Sequence, residues 1–448
     1  MIPFDLPSVE PPYFPDRLFD VRDFGAVGDG ATANTQSFRR AIEACHDQGG
    51  GTVLIPAGTW ATGPIHLRSN VNLRLERDAL VRFSTRFGDY LPVVFTRWEG
   101  VECYNYSPLI YARDCENVAV TGDGAFDGQG KAWWHWKQSQ QEAAKTLYDA
   151  EVCGVPVEKR VYGTEKAALR PQFLQPIHCR NVLIEGVTFL DGPMWTIHPV
   201  YCENVLVRRV TVQTAGPNTD GLNPDSCRNV IVKDCSFSTG DDCVAINSGM
   251  NEDGWRVGKP CENVVIQNCR MSEGHGAVSI GSGMSGGVRN VHVHDCSFTG
   301  GDQGIRLKSM RGRGGVVENV HFEDIRMSGL RQEAIVLNMF YGSSTAAPRS
   351  DTPPVFRDVT IRNVTCDSAG AAIHIRGLPE QRISHVVLEH VHINAVKGIR
   401  CRDADDLTLG DVSGVIEEEP LFSCSNVQGL HITNMDLEQG SLKQAPVQ

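Results

Sequence analysis

One short phrase recurs through this chain and limits what it can fold into. It is an Asn-Val pair followed by alternating apolar residues, as in Asn181-Val182-Leu183-Ile184, Asn204-Val205-Leu206-Val207 and Asn229-Val230-Ile231-Val232. Earlier and later copies start at Asn117, Asn263, Asn290 and Asn319, and weaker ones at Asp358 and His385, after which the pattern fades. From Asn181 the steps are 23, 25, 34, 27 and 29 residues. The alternation has period 2, the apolar residues are β-branched, and Gly, Asn and Asp fill the gaps, so these are strands and turns rather than helices. A repeat of that length built from short strands is one coil of a solenoid, and no Leu or helical signature of the other repeat families accompanies it. The expected fold is all-β, a parallel β-helix. The recurring Asn reads as a stacked turn residue that tolerates the left-handed conformation.

Cysteine follows the same rhythm. Cys179, Cys202, Cys227 and Cys261 precede the Asn-Val phrase at one offset, and Cys235, Cys269 and Cys296 recur at another. Such repetition reads as stacked, reduced, buried thiols rather than a disulfide framework or a zinc site.

Residues 1–18 are rich in Pro and form an arm; the β-helix domain is expected over 19–435, with a tail at 436–448. Near its start, Phe38, Ala41, Ile42 and Cys45 have helical spacing, with Asn34 or Thr35 as the cap and Gly49-Gly50-Gly51 as the stop. A helix here would plug the open end of the solenoid. Two stretches interrupt the rhythm, at about 84–110 and 131–175. Insertions in solenoids map to loops on one face, often the binding face. The second opens with Trp133-Trp134-His135-Trp136, which either stacks on sugar rings or seals the loop against the coil.

The formal net charge of −12 argues against a nucleic-acid partner, which needs basic surface. No apolar run reaches the length of a membrane span. The first residues lack a basic and an apolar signal region, which predicts a cytoplasmic protein, or a secreted or periplasmic one whose signal has been removed.

Between Asn218 and Lys308 lie four clusters that the repeat does not require: Asn218-Thr219-Asp220, Gly240-Asp241-Asp242, Gly274-His275-Gly276 and Arg306-Leu307-Lys308. Asp220 and Asp242 are 22 residues apart, about one coil, so their carboxylates should stand on neighbouring rungs. A turn beside Gly240 would aim Asp241 and Asp242 the same way. His275 follows after a longer coil, its extra length being the loop from Met250 to Arg256. Arg306 and Lys308 are i and i+2 on a strand and share a face. Three carboxylates so close cannot all ionise freely, so at least one stays protonated and can act as a general acid while another activates water. The cationic pair suits a substrate carboxylate.

These four clusters, in this order, resemble the signatures of the polygalacturonases, family 28 of the glycoside hydrolases. The resemblance runs from about Phe19 to Val364, with Leu307 standing where the family usually has Ile. It implies a right-handed parallel β-helix that hydrolyses α-1,4-galacturonosyl linkages with inversion and needs no cofactor or metal. It also implies roles: Asp241 as general acid, Asp220 and Asp242 holding the attacking water, and His275 tuning the acid. Arg306 and Lys308, with Asn218 and Tyr341, would contact the substrate, an acidic oligo- or polysaccharide such as galacturonan. The Phe19–Cys45 and Trp98–Tyr106 stretches look most like bacterial members, many of them exo-acting. Alternatives are a hydrolase of rhamnogalacturonan or another decorated pectin, a Ca²⁺-dependent pectate lyase, and a non-catalytic carbohydrate-binding β-helix. Oligomeric state is left open by the sequence.

Overall fold

A computed structural model describes residues 4–164, 167–342 and 349–441. The chain winds as a right-handed parallel β-helix, with equivalent strands of successive coils paired in register. Val182 lies beside Val205, Val205 beside Val230, Val230 beside Val264 and Val264 beside Val291. Each Asn-Val phrase is thus one step of a single sheet. Inward residues stack as well: Phe126 and Phe189 are in register, with rings 5.5 Å apart and nearly parallel.

The turn asparagines form a hydrogen-bonded ladder. The amide of each donates to the side-chain oxygen of the one below, from Asn117 on Asn70 (2.8 Å) through Asn181, Asn204, Asn229, Asn263 and Asn290 to Asn319 on Asn290 (3.2 Å). All of them have positive φ, which Asn adopts more readily than other residues with a side chain. Asn204→Ala would break two of these bonds and leave Ala in the left-handed region. The expected cost is about 1–3 kcal/mol, read as a lower unfolding midpoint in urea with activity unchanged.

The cysteines stack as their spacing predicts. All fifteen are free, and all but Cys153 and Cys424 are buried. Cys202 and Cys227 direct their thiols at the carbonyls of Pro176 (3.3 Å) and Pro199 (3.1 Å), one coil below.

Helix α1 (Thr35–Asp47) covers the end of the solenoid with Phe38, Ala41, Ile42 and Cys45 facing in. Asn34 holds the N-cap position, but its side chain does not cap. It accepts from the Val27 amide (2.8 Å) and donates to the carbonyls of Val27, Thr32 and Ala61, tying the incoming loop to the first coil. Thr35 instead accepts from the Gly63 amide (2.6 Å).

Coiling continues past Val386. Paired strand runs from Ile383 to Gln439, four residues into the segment read as a tail. Asp403, Asp406 and Asp411 here adopt the positive φ that Asn adopts earlier.

The two interruptions fold into the wall of one groove. The first carries an antiparallel hairpin, Val94–Trp98 with Val101–Asn105. The second carries the short helix α2 (Trp136–Ser139) and then α3 (Gln141–Val152). Trp133 and Trp136 are buried against Phe87, Tyr90 and Tyr106, so these two rings seal the insertion. The loop expected after Met250 is a further helix, α4 (Asn251–Val257), with Glu252 and Asp253 in its first turn, where the helix dipole favours negative charge, and Gly258 in the left-handed conformation at its end. Among the described residues no helix is long and apolar enough to cross a membrane.

Candidate active site

The strand Ser236–Thr239 stops before Gly240 and pairing resumes at Val244, leaving Asp241 and Asp242 in a turn. That turn is pinned: Thr239 Oγ1 and the His275 amide both donate to the Asp241 carbonyl (2.6 and 3.2 Å), and the Asp242 amide donates to Asp241 Oδ1 (2.9 Å). Both aspartates therefore point toward Asp220, one coil below. Oxygens of Asp220, Asp241 and Asp242 lie within 4.8 Å of one another, as the one-coil spacing predicts.

The glycines of Gly274-His275-Gly276 make room for this. Gly274 has a φ of +83°, and a Cβ there would sit 2.4 Å from the Asp241 carbonyl oxygen. A Cβ on Gly276 would approach Asp242 Oδ1 to 2.8 Å and Arg306 Cδ to 3.1 Å. Any larger residue would push apart the groups that the site brings together.

Each carboxylate has a different surrounding. Asp220 is buried; its Oδ2 accepts from Asn223 (2.8 Å) and its Oδ1 has no hydrogen-bond partner. Burial, and then the charges of Asp241 and Asp242, push its carboxyl well above the usual range, which favours the protonated form. Asp241 faces the cavity, and His275 Nδ1 lies 3.2 Å from its Oδ1. Burial works against its ionisation, but the His275 bond and the Lys308 charge outweigh it and hold this carboxyl below the usual range. The same bond raises the His275 imidazole. Within the triad the shifts run in opposite directions, up at Asp220 and down at Asp241, the residue to which the resemblance assigns the acid role.

Arg306 and Lys308 do share a face, but they are already engaged. Arg306 Nη1 donates to Asp242 Oδ1 (3.0 Å) and Lys308 Nζ to Asp242 Oδ2 (2.6 Å). Spacing alone does not show that a buried carboxylate stands opposite them. The Tyr341 ring lies 5.2 Å from Lys308 Nζ and 5.7 Å from the Arg306 guanidinium carbon, placing Tyr341 in the cavity wall. Asn218 also belongs there: its amide approaches Asp241 Oδ2 (3.5 Å), and its oxygen accepts from Lys137 (2.5 Å) and Arg170 (2.8 Å). All eight predicted residues thus fall in or beside one site.

The three aspartates are a donor set that a hard cation would also accept. Here, however, both Asp242 oxygens face cations and burial disfavours the charged form of Asp220, an environment suited to protons more than to a divalent ion.

The cavity holds about 380 Å³. Its far wall comes from the insertions, through Glu99, Gly100 and Tyr148, and from α4 through Asn251; Arg313 lines it as well. None of these was singled out from the sequence, because they lie outside the repeat. Arg170, buried beneath Asn218, was missed for the same reason; its desolvation pushes the guanidinium down to about 10.

The signature described as "Glycosyl hydrolases family 28" matches residues 158–435. This chain belongs to that family. It is a glycoside hydrolase, and the four clusters read from the sequence lie within the matched span. Residues 18–74 match a second signature, "Rhamnogalacturonase A/epimerase, pectate lyase-like". A probable polygalacturonase of Vitis vinifera is 31% identical over 408 residues, covering 87% of this chain and 77% of that protein. An exo-poly-alpha-D-galacturonosidase of Dickeya chrysanthemi is 26% identical, covering 89% and 71%. Among solved structures, a hyperthermoactive exopolygalacturonase from Thermotoga maritima superposes with a TM-score of 0.83 at 38% identity, over 95% of this chain and 94% of that one. A family 28 exopolygalacturonase from Yersinia enterocolitica does so with 0.79 at 25%, over 93% and 78%.

Proposed function

We propose that this glycoside hydrolase removes galacturonate units from the end of galacturonan oligomers, with inversion. The observation that carries the reading is the cavity itself, with an acid triad at its floor and the insertions forming its far wall. A groove blocked on one side accepts a chain end, not the middle of a long polymer. The exopolygalacturonases from Thermotoga and Yersinia, similar over nearly this whole chain, support the same reading.

In this mechanism Asp241 donates to the leaving oxygen. Its proton comes from within the cluster, where burial favours the protonated form of Asp220 and His275 is biased toward its cationic form. Asp242 and, once deprotonated, Asp220 hold the attacking water, and Asp220 takes up the proton the water loses, which restores the starting state. The nearest oxygens of the triad are closer than the ~6.5–9.5 Å that usually separates acid from base in inverting enzymes. The inverting reading therefore requires the water to sit beside the cluster, at the Asp220–Asp242 pair, rather than between acid and base. Lys308 and Arg306 hold Asp242 in place, each donating to one of its oxygens. The many stacked free thiols support a reducing, cytoplasmic setting, in which short oligomers rather than wall polymer are the substrate.

The test is hydrolysis of polygalacturonate and of tri- and tetragalacturonate. Monomer should be the first product from each, and proton NMR of the earliest product should show the β-anomer. A ladder of oligomers from the polymer would exclude the exo reading, and an unsaturated product absorbing in the ultraviolet would indicate a lyase instead.

A further inference from the structure

A galacturonate in this cavity needs a cation for its carboxylate, and the expected pair is occupied by Asp242. Apart from Lys308, the only cationic residue lining the cavity among the described residues is Arg313. It sits in the turn that follows the strand Gln303–Lys308. The partner of its guanidinium is the Asn251 side-chain oxygen, a neutral amide rather than a carboxylate. Its Nε is buried without a hydrogen-bond partner. Burial costs this guanidinium its hydration and lowers its pKa, and the acidic groups of Tyr148, Glu151, Tyr341 and Glu99 offset this only at a distance. A half-buried, unpaired arginine facing a cavity is a costly arrangement unless an anion completes it.

The side chain is also held ready. Arg313 Nη1 donates to Asn251 Oδ1 (2.6 Å), and the amide of Asn251 donates to Glu151 Oε1 (3.0 Å). Glu151 is fixed in turn by the Asp253 amide (3.3 Å). The Arg313 carbonyl accepts from Trp255 Nε1 (2.9 Å). Helices α3 and α4, both outside the repeat, thus aim one guanidinium into the cavity. The carboxylate of Glu99 on the same wall is taken up by the Tyr148 hydroxyl.

We propose that Arg313 receives the C6 carboxylate of the galacturonate bound in the closed end of the cavity, and that Asn251 positions it. This rests on the galacturonan reading. It makes Arg313 the residue that distinguishes a free uronate from its methyl ester or from galactose at the chain end. A charge-assisted bond in a desolvated site corresponds to about a 10- to 100-fold difference in binding.

The experiment is calorimetric titration of the full chain with galacturonic acid, its methyl ester and galactose. The wild type should bind the acid most tightly. Arg313→Gln should weaken the acid by about 10- to 100-fold, leave the ester unchanged and so erase the preference, with KM for oligomers rising by a similar factor. Arg313→Lys should restore part of the preference, which a merely structural role would not do. Thermal melting of each variant checks the fold. If Arg313→Gln keeps the acid-over-ester preference, the assignment is wrong while the galacturonan reading stands. If the wild type shows no preference for the acid, both fall.

Discussion

Asp241→Asn is expected to lower kcat by ~10²–10⁴-fold or more while leaving the melting temperature nearly unchanged. The substitution is isosteric, and the side-chain oxygen can still accept from the Asp242 amide as Asp241 Oδ1 does now. Asp241 faces the cavity, and removing its charge strands no buried cation, because His275 beside it is half exposed and free to lose its proton. The neighbouring substitutions are less clean. Asp242→Asn would leave Lys308 and Arg306 facing a neutral amide in a site where both are largely buried, so lost activity would be mixed with lost stability. Asp220→Asn replaces a carboxyl whose charged form burial already disfavours and removes a group to which the proposed mechanism gives the water. Steady-state kinetics on trigalacturonate, with circular dichroism as the control for folding, separates the cases. A kcat for Asp241→Asn within a few-fold of wild type would move the acid role to Asp220.

How much of this was legible beforehand depends on whether a feature repeats. The Asn ladder and the Cys stacks announce themselves because each coil needs the same residue at the same corner, and period and residue type together reveal the fold. The aspartate clusters are legible for a related reason: Asp220 and Asp242 occupy neighbouring coils, so sequence separation converts directly into distance. Features that arise once carry no such signal. Nothing about Glu99, Tyr148 or Arg313 indicates that they meet at one wall, since separations of 49 residues and more are bridged by insertions of irregular shape. The protonation pattern was hidden too. Counting carboxylates shows that their charges conflict; how the conflict is divided depends on surroundings, with burial raising the Asp220 carboxyl while the His275 bond and Lys308 lower that of Asp241. The last coils were obscured by a change of turn residue, from Asn to Asp at Asp403, Asp406 and Asp411, with the same backbone geometry.

The other large effect is on stability and concerns a residue the repeat gives no reason to notice. Arg97→Met is expected to destabilise the protein by about 3–5 kcal/mol. Arg97 lies on the hairpin of the first insertion, and its Nη1 donates to Asp225 Oδ1 (2.9 Å) and Ser226 Oγ (2.9 Å), with both members of the ion pair fully buried. Its Nε donates to the Gly100 carbonyl (3.1 Å), and its guanidinium stacks over Tyr201 at 4.8 Å. Burial opposes the Asp225 charge, and Arg97 together with the His198 bond keeps it ionised. His198 cannot substitute as the counter-ion, because burial holds its own pKa down. Met would fill much of the space but leave the Asp225 charge uncompensated. Adding Asp225→Asn to Arg97→Met should therefore recover part of the loss, a non-additivity that urea unfolding of the two singles and the double would expose. The same pair fastens the hairpin that carries Glu99 and Gly100 into the cavity wall. A loosened hairpin opens the closed end, so Arg97→Met, assayed at a temperature where it remains folded, should release di- and trigalacturonate from polygalacturonate alongside monomer. Monomer alone from a demonstrably destabilised variant would mean that α3, rather than the hairpin, sets the end of the cavity.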